Sequence, residues 1–433
     1  MLSAIGIENF KSYRKARLPL APLTMLIGAN ASGKSNAIEA LRLLSWIAQG
    51  NRLGTIRYQV SEGEQIIRGT TGSLVPTGTN SFSLGAEMPS VDWPVYRIEL
   101  QVDREDNDLH IKDEKLLSKE RTVPLFGVIG RTEGGNDLRV AYDNFARGGK
   151  KPQVVCNDQM AVLIQLQSSA RFVGSHKKAQ RTIPEICTKY QVALSEIRFL
   201  DPRPSAMRGY SFAHERRLKE DGSNLSGVLF NLCQIAKKSE NILDLVHSLP
   251  EQNIENIDFV KTPRGEYMVK LTETFGGQQQ EFDATLLSDG TLRVLAIAAA
   301  ILSAPEGSLV VIEEIDNGVH PSRAELLLNN VFEIARERNL RVLLSSHNPA
   351  LLDALPVEAV PDVVFCYRDP DDGSSKLTRL EDIPDYPELI AQGTVGHLMT
   401  KGIIERFVKE YPGSKARKRK ALEWLEHLER QTG

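Results

Sequence analysis

The chain predicts an α/β fold built around a parallel sheet, and three stretches carry that prediction. The apolar run Leu23–Ile27 leads through Gly28-Ala29-Asn30-Ala31-Ser32-Gly33-Lys34-Ser35 into residues 36–44, where Ile38, Leu41 and Leu44 recur at helical spacing. A second continuous apolar run, Leu309–Ile312, ends in Glu313-Glu314. A third, residues 342–346, is ended by His347-Asn348-Pro349. Short apolar runs of this kind, separated by helical patterns, are what strands buried on both faces look like.

The first stretch fits G-x-x-x-x-G-K-[ST], a phosphate-binding loop between a strand and a helix. Its glycines let the backbone curl so that N–H groups converge on phosphate oxygens. Lys34 brings a mobile positive charge to the β- and γ-phosphates, and the Ser35 hydroxyl suits Mg²⁺. The following helix turns its positive end toward the same anion. Gly28, Asn30, Ser32, Gly33, Lys34, Ser35 and the adjoining Asn36 are the expected nucleotide contacts.

Composition narrows the class. In 433 residues, 41% are hydrophobic and 25% charged, as in ordinary globular proteins, with room for two or three structural units. A net charge of −3 gives no whole-molecule attraction to nucleic acid, so any such contact needs a local patch. Cys156, Cys187, Cys233 and Cys366 lie far apart without a Cys-x-x-Cys pair. That argues against a zinc site and suits a reducing cytoplasm, the expected location. Residues 1–16 lack a signal-peptide core, and the longest apolar run, 294–304, is too short to span a membrane.

Residues 1–27 read as two strands. Ile7-Glu8-Asn9-Phe10-Lys11-Ser12-Tyr13, Pro22-Leu23-Thr24 and the loop 28–36 together resemble the N-terminus of the RecF/SMC/OLD-like branch of the ABC ATPases. The resemblance implies an ABC-type P-loop NTPase head with an antiparallel β-subdomain and an inserted helical region, binding ATP and Mg²⁺. Leu287-Ser288-Asp289-Gly290-Thr291 stands where that family keeps a Leu-Ser-Gly-Gly-Gln signature. Asp289 and Thr291 depart from it, whereas Ser288 and Gly290 fit and would meet the γ-phosphate held by a second subunit. Glu313 takes the Mg²⁺ position of Walker B, where Asp is commoner, and Glu314 that of the general base. Asp316 opens a D-loop facing the partner subunit, and His347 is the switch histidine against the γ-phosphate. Gln165 is the candidate Mg²⁺-sensing glutamine, with Gln167 as competitor and a plain surface glutamine as the alternative.

The resemblance covers the two ends of the chain well and residues 50–280 poorly. Expected divisions are 1–110, an N-terminal ATPase lobe with β-subdomain; 111–240, an inserted β/helical region; 241–365, a C-terminal ATPase lobe; and 366–433, a hairpin and basic helix. Residues 127–153 read as a long exposed loop, 154–200 as largely helical and 255–283 as a β-hairpin. Asp221-Gly222-Ser223-Asn224 is expected to cap a helix over 225–237. Arg203, Arg208, His214, Arg216, Arg217 and Lys219, interleaved with Tyr210 and Phe212, suit a nucleic-acid contact, although a solvated helical face is the preferred reading. Asp369–Gly373 reads as a hairpin turn and not as a Toprim metal site. The basic run 415–420 suits nucleic acid, an acidic partner or simply solvent.

No sustained heptads occur between the loop and residue 280, so long coiled-coil arms are not expected. The family resemblance therefore implies an ATPase that closes as a homodimer around ATP and acts on DNA. It also implies DNA repair or phage defence beside a separate effector protein, for instance a nuclease, with no membrane partner. The alternative is a nucleotide-gated scaffold or sensor with little turnover. A transporter subunit and a GTPase fit the motifs poorly.

Overall fold

The computed structural model describes residues 1–56, 66–103, 108–118, 120–133, 135–247, 253–316 and 321–410. Strand β1 (Ala4–Phe10) pairs antiparallel with β2 (Tyr13–Pro19), and β3 (Leu23–Ile27) runs into the phosphate loop and helix α1 (Lys34–Ala48). Six further strands extend the first sheet: β4 (Ser81–Glu87), β5 (Val95–Val102), β6 (Leu109–Leu117), β7 (Phe126–Arg131), β8 (Leu138–Tyr142) and β9 (Gln153–Cys156). The result is an eight-stranded antiparallel sheet in the order β2-β1-β4-β5-β6-β7-β8-β9.

Helix α2 (Lys177–Ser195) packs on α1 and leads into β10 (Arg198–Leu200). After the two-residue strand β11 (Ser211–Phe212) come α3 (Leu225–Phe230) and α4 (Ser239–Val246). Strands β12 (Ile254–Lys261), β13 (Glu266–Phe275) and β14 (Gln278–Asp283) make a small sheet with β11. Helix α5 (Asp289–Ser303), β15 (Leu309–Ile312), α6 (Pro321–Glu337) and β16 (Arg341–Ser346) follow. The described chain closes with β17 (Val364–Arg368), β18 (Ser375–Arg379), α7 (Val395–Thr400) and α8 (Ile403–Glu410).

The second large sheet has the order β10-β15-β16-β3-β17-β18, parallel except for the terminal β17–β18 hairpin. Its residues alternate between two cores. Leu23, Met25, Val310, Ile312, Val342 and Leu344 face α5 and α6, whereas Leu26, Leu309, Val311 and Leu343 face α1 and the antiparallel sheet. Both faces are thus covered, which is why these strands are continuously apolar. Among the described residues no helix is long and apolar enough to cross a membrane. All four cysteines are buried and unpaired.

Several expectations about the middle of the chain change. Each expected division, at 110/111, 240/241 and 365/366, falls inside an element: β6, α4 and β17 respectively. Residues 127–153 are not one long loop: they hold most of β7, all of β8 and the first residue of β9 on a half-solvated antiparallel sheet, whereas 143–152 between β8 and β9 is the exposed loop expected. The 255–283 hairpin gains a third strand, β14. Asn224 stands at the start of α3 without capping it, because its amide turns back to Arg217 O and Lys219 N–H. The helix then continues as a π-helical turn, Asn231–Ile235. The hairpin turn at 369–374 is as expected, with Asp369 N–H donating to Ser374 O at 2.8 Å. The basic run 415–420 and residues 317–320 of the expected D-loop lie outside the described residues.

One buried carboxyl fastens the helical layer to the antiparallel sheet. Glu114 on β6, fully buried, accepts from the backbone N–H groups of Val162 and Leu163, both at 2.7 Å, and from the Tyr96 hydroxyl at 3.0 Å. Burial outweighs these donors and pushes its carboxyl up to about 7. The folded state then holds a proton that the unfolded chain releases near 4.5, so this group's stabilisation is complete below pH 4.5 and lost as pH rises through 7. The swing is about 3 kcal/mol. Thermal melting at pH 5 and pH 8 should therefore show the margin of wild type over Glu114→Gln shrinking at the higher pH; a constant margin would overturn the assignment.

Candidate nucleotide site

Sequence places the phosphate loop at the carboxyl end of β3, where a parallel sheet leaves a crevice. Close packing explains its glycines. A Cβ on Gly28 would lie 2.1 Å from the Cys366 carbonyl oxygen on β17, and one on Gly33 2.3 Å from Ser375 Oγ on β18. Gly33 also has φ +122°, a conformation suited to glycine. The loop is bracketed from both sides: Tyr13 OH donates to Gly33 O at 3.0 Å, Ser375 Oγ to Ser32 O at 2.5 Å, and Arg368 Nε to Ala31 O at 3.0 Å. No side chain caps α1 and its first turn holds no acidic residue, so its N-terminal amides are left for an anion. Lys34 Nζ donates to Gly28 O at 2.6 Å and Ala29 O at 3.2 Å. Burial lowers its pKa, opposed by Cys366, Asp316 and Glu314.

A cavity of about 260 Å³ opens above this loop. Asn30, Ser32, Gly33, Lys34, Ser35 and Asn36 line it from one side, and Glu313, Glu314 and His347 from the other. The sheet brings together residues more than 270 positions apart in sequence because only β16 separates β15 from β3. Glu314 has φ +47°, uncommon for a side chain of this size, and its N–H donates to Ser345 Oγ at 3.1 Å. Its backbone is thereby tied to a side-chain hydroxyl at the end of the neighbouring strand.

Glu313 accepts from Arg42 Nη2 at 2.5 Å, and the other arm of the same guanidinium pairs with Glu220. Arg42 also lies over the Phe199 ring, 4.9 Å from its centroid. Burial raises the Glu313 carboxyl, with Asp201 and Glu220 adding to the rise and Arg42 opposing it. The arginine offsets a like-charge cluster of half-buried and exposed carboxylates, so removing it leaves them to repel one another.

Two expected residues sit differently. Gln165 does not line the cavity: its Nε2 donates to Asn157 O at 2.8 Å and Met160 O at 2.7 Å, and its Oε1 accepts from Asn157 N–H at 2.8 Å. All three bonds close a local turn. The residue beside the glutamates from a neighbouring strand end is instead Asp201, just after β10, which shares a second cavity with Glu313 and Glu314. Asp316 does not present its carboxylate outward to a partner; only 5% exposed, it lies 3.3 Å from His347 Nδ1.

Ser288 and Gly290 line neither cavity that holds Glu314. Ser288 caps α5, its Oγ accepting from Thr291 N–H at 3.1 Å. Arg208 clamps this segment, donating to Ala284 O, Thr285 O and Leu287 O and pairing with Asp289 at 2.6 Å. Arg42, Asp201 and two arginines that also line the first cavity, Arg68 and Arg368, escaped the sequence reading. Arg42 alone left a signal, a charge on the apolar helix seven positions after Ser35 and so on its face.

The donors suit Mg²⁺. Ser35 and Glu313 offer hard oxygens on one cavity, and among the described residues no group of three or more His, Cys, Asp or Glu forms a cage by itself. Magnesium ordinarily takes one or two carboxylates and completes its shell with phosphates and water.

A parallel sheet with a strand–phosphate loop–helix unit, paired glutamates at a nearby strand end and a histidine on the strand between them define a P-loop NTPase of the ABC type. Two family models match the chain: "AAA ATPase domain" over residues 1–120 and "AAA domain, putative AbiEii toxin, Type IV TA system" over residues 174–353. Over these two stretches the chain is similar to ATPase domains, in keeping with the RecF/SMC-like resemblance of its motifs. No curated protein matches it in sequence. Similar solved structures include an SMC head bound to the C-terminal winged-helix domain of ScpA, at 13% identity and TM-score 0.46, covering 87% of this chain and 96% of that one. The Thermotoga maritima SMC head matches at 13% identity and TM-score 0.41, covering 87% and 98%. A Pyrococcus furiosus SMC head with extended coiled coil, bound to the C-terminal domain of ScpA, matches at 13% and 0.38, covering 87% and 95%.

Gly33→Ala should abolish binding of ATP·Mg²⁺ measured by titration calorimetry, whereas Gln165→Ala should leave the affinity within about twofold. Loss of binding in the glutamine variant would restore it to the site.

Proposed function

We propose that this chain hydrolyses ATP between two copies of itself and uses the cycle to act on or sense DNA. The observation that carries the reading is the convergence of Lys34, Ser35, Glu313, Glu314 and His347 on one cavity. Lys34 leaves its loop carbonyls to hold the β- and γ-phosphates. Ser35 and Glu313 would hold Mg²⁺, which screens phosphate charge. Glu314 takes the proton of the attacking water, and His347, oriented by Asp316, meets the γ-phosphate. The second copy supplies Ser288 and Gly290. Ser288 is exposed, and Leu286 beside it keeps 68% of its surface in solvent, as suits a face that another subunit covers. Work in DNA repair or phage defence with a separate effector such as a nuclease is the family-level part of the proposal, as is a cytoplasmic setting.

A second reading, a nucleotide-gated scaffold with slow turnover, draws on Glu313. Its carboxylate is engaged by Arg42, so metal binding competes with an ion pair already made. Turnover well below one per minute with tight ATP-dependent assembly would favour it.

Mass in solution separates these readings from a monomeric enzyme. Glu314→Gln should form a stable dimer or larger species with ATP·Mg²⁺ and lose about 100-fold or more in turnover. Mass that ignores ATP in wild type and variant alike would remove the ATP-held dimer, and normal turnover in the variant would remove Glu314 as the base.

A further inference from the structure

A cavity of about 400 Å³ beside β10 is separate from the phosphate loop. Arg198, Arg216, Arg217 and Lys219 line it against only two carboxylates, Glu215 and Glu220. Both carboxylates are committed: Glu215 pairs with Lys219 at 3.0 Å, and Glu220 with Arg42. Arg198 donates through Nη2 to Glu196 at 2.7 Å, but its Nη1 is buried without a partner. Arg217 stands near enough to Arg198 to act on its charge. Arg216 and Arg217 are exposed, and among the described residues neither side chain makes a hydrogen bond or ion pair. Asn224, buried, fixes the loop by holding Arg217 O at 2.8 Å and Lys219 N–H at 2.9 Å.

Neighbouring guanidinium groups with a buried, unused N–H form an arrangement that a planar or tetrahedral oxyanion satisfies. A bare phosphate would occupy little of this volume, and Phe199 and Leu218 in the wall leave room for more than an ion. The chain entering the cavity also shows rings to solvent. Tyr210 is 43% and Phe212 41% exposed, and Phe212 stacks on His214 with centroids 5.4 Å apart. This segment is not the solvated helical face preferred from sequence: residues 208–224 contain only β11, turns and bends.

We infer that this cavity and its aromatic approach bind single-stranded nucleic acid, a backbone phosphate entering between Arg198, Arg216 and Arg217 and bases stacking on Tyr210 and Phe212. The inference rests on the proposal that the chain acts on nucleic acid and gives that contact a place.

Fluorescence anisotropy with a labelled single-stranded deoxyoligonucleotide tests it on the full chain. Arg216→Ala/Arg217→Ala should weaken binding about tenfold or more and lower the slope of log affinity against log salt by about one. Tyr210→Ala/Phe212→Ala should weaken binding with the slope unchanged. A charge-matched control, Lys177→Ala/Arg181→Ala, should lose less than about threefold. Equal loss in both arginine and control variants, or none in the arginine variant, overturns the site while leaving a nucleic-acid role elsewhere on the chain. Binding displaced as well by adenosine monophosphate in a Lys34→Ala background makes the cavity a mononucleotide pocket and overturns the strand. A wild-type chain that binds no strand overturns both this site and the DNA role, while the mass of Glu314→Gln still decides the ATP dimer.

Discussion

The register between β3, β16 and β15 is the constraint on which the nucleotide site depends. Ile27 pairs with Ser346, and Leu344 with Ile312, so the three strands stop within a residue or two of one another. Gly28, Glu313 and His347 therefore emerge at one level although they come from distant parts of the sequence. Register here is enforced by burial on both faces: a one-residue slip of β15 would exchange Val310 and Ile312 with Leu309 and Val311 between two filled cores. Glu313 and Glu314 would trade sides in the same movement, so the packing that stabilises the sheet also decides which glutamate faces Arg42.

Around that frame the loop is held mainly by backbone and hydroxyl contacts. The β1–β2 turn and the β17–β18 hairpin close on it together, joined through Ser12 Oγ, which donates to Ser375 Oγ at 2.7 Å and accepts from Asn36 Nδ2 at 2.8 Å. This explains why the N-terminal strands precede the loop. They form one edge of the antiparallel sheet and one wall of the phosphate cradle at once. A loop built in advance need not be ordered by its ligand, which leaves more of the phosphate contact energy for binding.

What the sequence made legible follows from how local each signal was. The phosphate loop, the glutamate pair and His347 each sit within a few residues of a continuously apolar strand, so spacing pointed to the loop and, with the family resemblance, to the glutamates and the histidine. Gln165 failed because its position was judged along the chain. The place beside Glu313 belongs to whichever strand pairs with β15, and that strand is β10, which brings Asp201. Strands β7 to β9 were missed because Gly127, Gly130 and alternating polar residues look like loop when only one face of a sheet is buried. Asp316 was read as outward-facing from motif order, whereas its burial against His347 is a tertiary fact.

The arginine on α1 links the two ends of this picture. Arg42 reaches Glu313 with one arm and Glu220 with the other, and Glu220 lies in the wall of the basic cavity. Backbone bonds reinforce the connection: Asp201 N–H donates to Glu220 O at 2.9 Å, and Arg203 N–H to Asp221 O at 3.0 Å. A group that draws the Glu220 loop outward must therefore strain Arg42, β10 or both. Conversely, a cation arriving at Glu313 weakens the hold of Arg42 on that carboxylate and leaves it to Glu220. Coupling of this kind needs no large motion, since Coulomb interactions at salt-bridge distance in a partly buried setting change by about 4 kcal/mol when a partner is lost. The basic cavity and the nucleotide site are thus joined by one charged side chain whose two partners cannot both be disturbed independently.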